Sequence, residues 1–206
     1  MDVINKYHCT PHLNAETLLF KHKRVALGVF RDVIGINEID HISIACINMN
    51  DEVIFISHTP SIEYNLITSG LWVYDMAYHF DFYKNNNNQY WDQLYHHTKL
   101  AELTNIKQTT HQFSSGFSIP IKQDNCHLIY SFATKSKDAH SKSFFCDKQD
   151  ELVKIGHYCF HKLATIFLPN DFDQKRASVV SSNRYLKLVV NNRTSLHVSS
   201  ERMEIS

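Results

Sequence analysis

The sequence predicts an α+β protein: an α-β-α sandwich built on a five-stranded antiparallel sheet, followed by a C-terminal β-hairpin extension. Three observations carry this expectation. Residues 116–133 hold two runs of alternating apolar residues, Phe117-Ile119-Ile121 and Leu128-Tyr130-Phe132, on either side of polar Lys122-Gln123-Asp124-Asn125. Period-2 alternation around an Asp-Asn turn marks a hairpin. Segments of helical periodicity precede, interrupt and follow the strand-like segments, so helices are expected on both faces of one sheet. Finally, only 5 Gly and 4 Pro occur in 206 residues, which argues against a turn-rich all-β sandwich.

Taken in order, residues 1–13 read as an N-terminal arm, residues 14–170 as one folded domain and residues 171–206 as the extension and tail. Asn14 suits the cap of a helix over residues 15–34, in which Leu18, Leu19, Val25, Leu27, Val29, Phe30 and Val33 are apolar. The basic residues Lys21, Lys23 and Arg24 read as its solvated face. Residues 41–48 and 52–57 form a strand pair around Met49-Asn50-Asp51. Pro60 opens a helical pattern through Ile62, Leu66 and Ile67 that stops at Gly70. An aromatic stretch follows, with Trp72, Tyr74, Tyr78, Phe80, Phe82 and Tyr83, and then four asparagines at 85–88 that read as a loop. Residues 89–103 read as a helix and 109–113 as a short strand leading into the hairpin. Gly116 marks a bend or a close backbone approach, and Pro120 belongs at an edge or irregular position because it cannot donate to a sheet ladder. A last helix covers residues 147–167 and ends at Pro169 and Asn170.

Composition narrows the function. Hydrophobic residues make up 43% and aromatics 12%, including 13 Phe and 10 Tyr, as in a folded globular chain. Lys plus Arg and Asp plus Glu are 21 each, so no global charge draws the protein to nucleic acid or to an anionic membrane. The 5 cysteines are odd in number and scattered, with no CxxC, which points to a reducing compartment and a cytoplasmic location. No segment approaches the length of a membrane span, and residues 1–12 hold no Sec-type apolar run; an address read by another secretion machine leaves no such trace.

The run Gly116-Phe117-Ser118-Ile119-Pro120-Ile121, followed by Tyr130-Ser131-Phe132-Ala133, resembles the second half of a LuxR-type autoinducer-binding domain, a PAS- and GAF-like sensory sandwich. The order of elements over about residues 14–168 is similar to that family's as well. The resemblance implies a bacterial signalling module of the quorum-sensing, transcription-regulating type, with a ligand held between the sheet and the helices inserted into it. It places the family's ligand-anchoring aspartate on Asp75, which would accept a hydrogen bond from a ligand amide N–H, and the polar strand residue that holds the acyl carbonyl on Ser131. From the residues alone, Asp75 equally suits a helix cap or a surface pair, and Ser131 a small core position.

Two departures accompany the resemblance. The family's tryptophan and tyrosine fall on Ile62 and Leu66, and an isoleucine cannot donate to a lactone carbonyl. A buried carbonyl without its donor costs roughly 1–3 kcal/mol. The implied ligand is therefore a small apolar molecule with an amide or similar polar group, not a standard acyl-homoserine lactone. Tyr64, Trp72, Tyr74 and Trp91 can line a differently shaped pocket or pack as plain core. Second, the residues after Pro169 read as strand, turn and strand (Tyr185 to Val190, then Ser195 to Val198), with no helix-turn-helix pattern. Output would then run through a homodimer or a full-length regulator of the same family, with no direct nucleic-acid contact.

Two other readings stand beside this one. A filled pocket would make the chain an interaction protein, for instance one secreted to act on a host. His157 and His161, one helical turn apart, can share a face and hold zinc, which would suit a metal-dependent enzyme, although no HExxH pattern is present. No GxSxG elbow, P-loop or GxGxxG motif occurs, so the expectation is a non-enzyme without a cofactor.

Overall fold

The computed structural model describes residues 7–85, 87–123, 125–137 and 145–168. The expected C-terminal β-hairpin extension, residues 171–206, lies outside the described residues, as does Asp124 of the hairpin turn.

Among the described residues, six strands form one mixed sheet in the order β1-β3-β2-β6-β5-β4. They are β1 (Thr10–Pro11), β2 (His41–Ile47), β3 (Glu52–Ser57), β4 (Gln89–Tyr90), β5 (Ser115–Gln123) and β6 (Cys126–Thr134). Every pairing is antiparallel except that of β1 with β3. The expectation of five antiparallel strands is thus corrected in two ways. The strand expected at 109–113 is a single helical turn, Thr109–His111, closed by Gln112 in the left-handed region at φ 61°. Two-residue strands at either edge take its place, and two residues are too few to show any alternation.

The four long strands arise where the alternation lies. β2 and β3 join through Asn48, whose side-chain Oδ1 accepts from the backbone N–H of Asn50 and of Glu52, both at 2.9 Å, while Asp51 turns the chain at φ 58°. β5 and β6 pair along their whole lengths, from Ser115 opposite Thr134 to Gln123 opposite Cys126. Pro120 lies inside β5, but β4 reaches only Phe117 and Ser118. At Pro120 the strand therefore has a neighbour on one side only, where a missing N–H is tolerated.

Both faces of the sheet are covered. One carries Ile42, Ile44, Tyr130, Phe132, Phe117 and Ile119, all buried. Helix α7 (Gln149–Phe167) packs here. Its Gly156 lies so close to the Tyr130 ring that a Cβ would overlap it. The expected helix over residues 15–34 is two helices, α1 (Ala15–Lys21) and α2 (Lys23–Phe30), broken at His22, whose ring meets Phe167 edge-on at 5.5 Å.

The opposite face is covered by the segment between β3 and β5. It contains α3 (Ser61–Thr68), helical turns at Leu71–Tyr74 and Met76–Tyr78, α4 (Phe80–Tyr83), α5 (Trp91–Leu94) and α6 (Leu100–Lys107). The helix expected over residues 89–103 is thus divided among β4, α5, a turn at His97–Lys99 and α6. This segment and the sheet share one apolar cluster that includes Phe55, Ile62, Leu66, Tyr78, Trp91, Leu103 and Ile129. No helix among the described residues is long and apolar enough to cross a membrane.

Candidate functional site

Between the sheet and the inserted segment, the apolar cluster gives way to polar side chains. The sheet's contribution follows from strand phase. Ser57 of β3 stands opposite Ser43 of β2, Ser43 opposite Ser131 of β6, and Ser131 opposite Ser118 of β5. Four hydroxyls thus run in a row across four strands, on the face away from α7. All four serines are buried, with Ser118 wholly so. Ser118 Oγ and Ser131 Oγ lie 2.8 Å apart, and Trp91 Nε1 donates to Ser118 Oγ at 3.0 Å. Trp91 can lie this flat on β5 because Gly116 has no side chain; a Cβ at that position would fall inside the indole.

The inserted segment supplies an ion pair. Asp75, 0% exposed, sits between two helical turns. Its Oδ1 accepts from Ala77 N–H at 3.1 Å and its Oδ2 accepts from Lys107 Nζ at 2.6 Å. Lys107 ends α6 one turn after buried Leu103, which carries it to the inner face; it is 3% exposed. Its ammonium lies 4.4 Å from the Trp91 ring centroid and 5.2 Å from that of Tyr95, so two aromatic faces share its charge. Asp75, Lys107, Trp91, Ser118 and Ser131 are therefore joined in one buried chain of contacts.

Three buried polar atoms beside this chain have no hydrogen-bond partner among the described residues: Glu63 Oε2, the Tyr95 hydroxyl oxygen and His41 Nε2. Glu63 is 2% exposed on α3. Burial pushes its carboxyl above the ordinary value of 4.5; the Ser57 and Ser43 hydroxyls and the charge of Lys107 temper the rise. Neither hydroxyl completes a hydrogen bond to Oε2. His41 stands 3.1 Å through Nδ1 from Thr59 Oγ1, and burial, then the neighbouring His58, His111 and Lys107, hold it well below the ordinary imidazole range. Burial and the charge of Asp75 push the Tyr95 hydroxyl far up.

The raised carboxyl of Glu63 has a consequence for folding. Its proton is held more tightly in the folded chain than in the unfolded one, so its favourable contribution is complete below about pH 4.5 and is lost as pH rises through the folded value. In urea unfolding, the wild type is expected to lose stability relative to Glu63→Gln as pH rises from about 4.5 toward neutrality, with the two converging at the acid end. A difference that does not vary with pH would mean that the carboxyl is not buried as described.

The residues expected from sequence are distributed as follows. Asp75, Ser131 and Trp91 belong to the buried chain. Ile62 and Leu66, each 2% exposed, line the apolar cluster beside it. Trp72 and Tyr74 are half-buried against that cluster, Tyr74 with the His96 ring at 5.9 Å. Tyr64 is 39% exposed and meets Phe20 edge-on at 5.5 Å, away from the polar cluster. His157 and His161 lie ring to ring at 6.1 Å on α7, on the other side of the sheet, where the Tyr130 hydroxyl is 2.9 Å from His157 Nδ1. Among the described residues no group of three or more His, Cys, Asp or Glu side chains is placed to hold a metal ion.

Sequence reasoning missed Lys107, Glu63, Tyr95, His41 and the serine row. Glu63 had a signal: it lies between Ile62 and Leu66 on the apolar stripe of α3, one residue after the first and three before the second.

No family model matches the sequence, and no curated protein matches it. Among solved structures, the chain is similar to SdiA of Escherichia coli at 13% identity over 90% of this chain and 81% of that one, with a TM-score of 0.47. It is similar to the VqsR ligand-binding domain of Pseudomonas aeruginosa at 14% identity over 71% and 92%, with a TM-score of 0.43. A third likeness is to SdiA in complex with octanoyl-rac-glycerol, at 13% identity over 89% and 79%, with a TM-score of 0.44. At these values the functional reading rests on the residues themselves.

Proposed function

We propose that this chain is a small-molecule-sensing domain of the LuxR-type autoinducer-binding architecture. The observation that carries this reading is the set of unpartnered buried atoms on Glu63, Tyr95 and His41 around Lys107. Buried polar groups in folded proteins are nearly always paired, and each one left alone costs about 1–3 kcal/mol. Three in one place, roofed by inserted helices, fit a site completed by a ligand's polar atoms. The ligand is small and mostly apolar, since the surrounding side chains are Ile62, Leu66, Tyr78 and their neighbours. Asp75 and Ser131 act within the site, the first through Lys107 and the second through Ser118. The bound state is read by a protein partner or a second copy of the chain, in a cytoplasmic setting and without catalysis.

A second reading is favoured by one feature. Asp75 and Ser131 already have internal partners in Lys107 and Ser118, as they would in an interaction protein whose pocket its own side chains fill. Native mass spectrometry of the purified protein separates the two. Sensing predicts a bound organic mass, or one taken up from a cell extract, with a rise in melting temperature that Glu63→Leu abolishes. The bare polypeptide after extract exposure, with no thermal shift, would overturn sensing and favour the filled pocket.

A further inference from the structure

Resting on the sensing reading, we infer that Glu63 reads the ligand's head group: it accepts a hydrogen bond from a hydroxyl or ammonium donor, and the site rejects carboxylate heads. Charge and donor count carry the inference. The buried cluster holds two carboxyl groups, Asp75 and Glu63, but one ammonium, Lys107, and that ammonium is already bound to Asp75 at 2.6 Å. An anionic head would add a third acid to a site with one cation, in surroundings of low dielectric constant. An acceptor-only head could take a bond from the Tyr95 hydroxyl but would leave Glu63 Oε2 unfilled. The Trp91 N–H is given to Ser118, Ile62 offers no donor, and Lys107 is shared among Asp75 and two rings. What stays open in the cluster is an acceptor, Glu63 Oε2, to which none of these donors completes a hydrogen bond. Glu63 Oε2 is buried, faces the serine row and is unfilled; an ionised Glu63 offers a carboxylate oxygen there and a protonated one still offers a carbonyl oxygen. The hydroxyl of Tyr95 can serve the same head as donor or acceptor.

The test varies the head on one tail. Octanol, octylamine, sodium octanoate and methyl octanoate are titrated calorimetrically into the full chain, the Glu63→Leu protein and the Glu63→Gln protein, each checked for a cooperative unfolding transition. In the wild type, octanol or octylamine is expected to bind about tenfold more tightly than methyl octanoate, and octanoate more weakly still. Glu63→Leu should erase the preference while keeping methyl octanoate binding. Glu63→Gln should keep octanol binding and weaken octylamine if the recognised donor is an ammonium. Equal binding of all heads, or a preference that survives in Glu63→Leu, would overturn the assignment to Glu63. Binding of none of the four by the wild type would overturn the sensing reading beneath it, which the native mass measurement then reports independently.

Discussion

Replacing Lys107 with methionine is expected to lower the unfolding free energy by about 3–5 kcal/mol, because it strands the Asp75 carboxylate in a fully buried position. The methionine keeps most of the stem that passes Trp91, so lost packing is a minor part of the effect. Asp75 is 0% exposed and Lys107 only 3%, so neither charge has water to fall back on. A domain of this size has roughly 5–15 kcal/mol in total, and the variant will stand near the margin of folding. Asp75→Asn in the same chain is expected to recover most of the loss, since an asparagine oxygen can still accept the Ala77 N–H while the buried charge is gone. The four urea unfolding curves of this double-mutant cycle measure the coupling directly. A Lys107→Met cost below about 1 kcal/mol would mean that the pair is not buried as a unit. Asp75 would then be open to a ligand without help from Lys107.

Gly116→Ala is expected to be the second most damaging single change, at about 1–3 kcal/mol or more, from overpacking. The added Cβ has nowhere to go: the nearest atoms are carbons of the six-membered ring of the Trp91 indole. Either β5 or the indole must move, and movement of the indole breaks its bond to Ser118 and its contact with Lys107. Only Trp72 and Trp91 are present, so fluorescence in a Trp72→Phe background reports Trp91 alone. A shifted emission maximum together with a lower urea midpoint is the expected result. Gly28→Ala is the matched control. Its Cβ would meet nothing within 4 Å, and on helix α2 the change should stabilise by up to about 1 kcal/mol. If Gly116→Ala behaved like Gly28→Ala, the close approach of Trp91 to β5 would be wrong.

The two experiments bear on function because Trp91 and Lys107 connect the aspartate to the strand serines. Under the proposed sensing function, a ligand that engaged Glu63 or Tyr95 would meet groups already coupled, through Lys107, to α6 and to the turns on either side of Asp75. A change of position there would pass to the elements that carry these groups, as the proposed sensing requires.

How much of this was legible in advance depends on the range of each interaction. The four long strands and α7 were readable because period-2 and period-3.6 patterns lie within the segments themselves. Gly116 was readable as a place of close approach, and Pro120 as a position needing an open side. The break at His22 was not, since it has no glycine or proline and is accompanied by a ring contact with Phe167 far along the chain. The strand expected at 109–113 failed for a related reason: Thr and Phe favour strands, but the backbone there turns to carry Phe113 into the core.

By itself, the sequence determined that two helical layers enclose a sheet and which residues alternate along each strand. Only the tertiary structure decided that Ser57, Ser43, Ser131 and Ser118 share one row, that Lys107 reaches Asp75 across 32 residues of chain, and that Glu63 Oε2 is left without a hydrogen-bond partner. The physical reason is that alternation and helical period are local properties of the chain. The partner of a buried charge is set by strand register and by the angle at which distant helices cross the sheet.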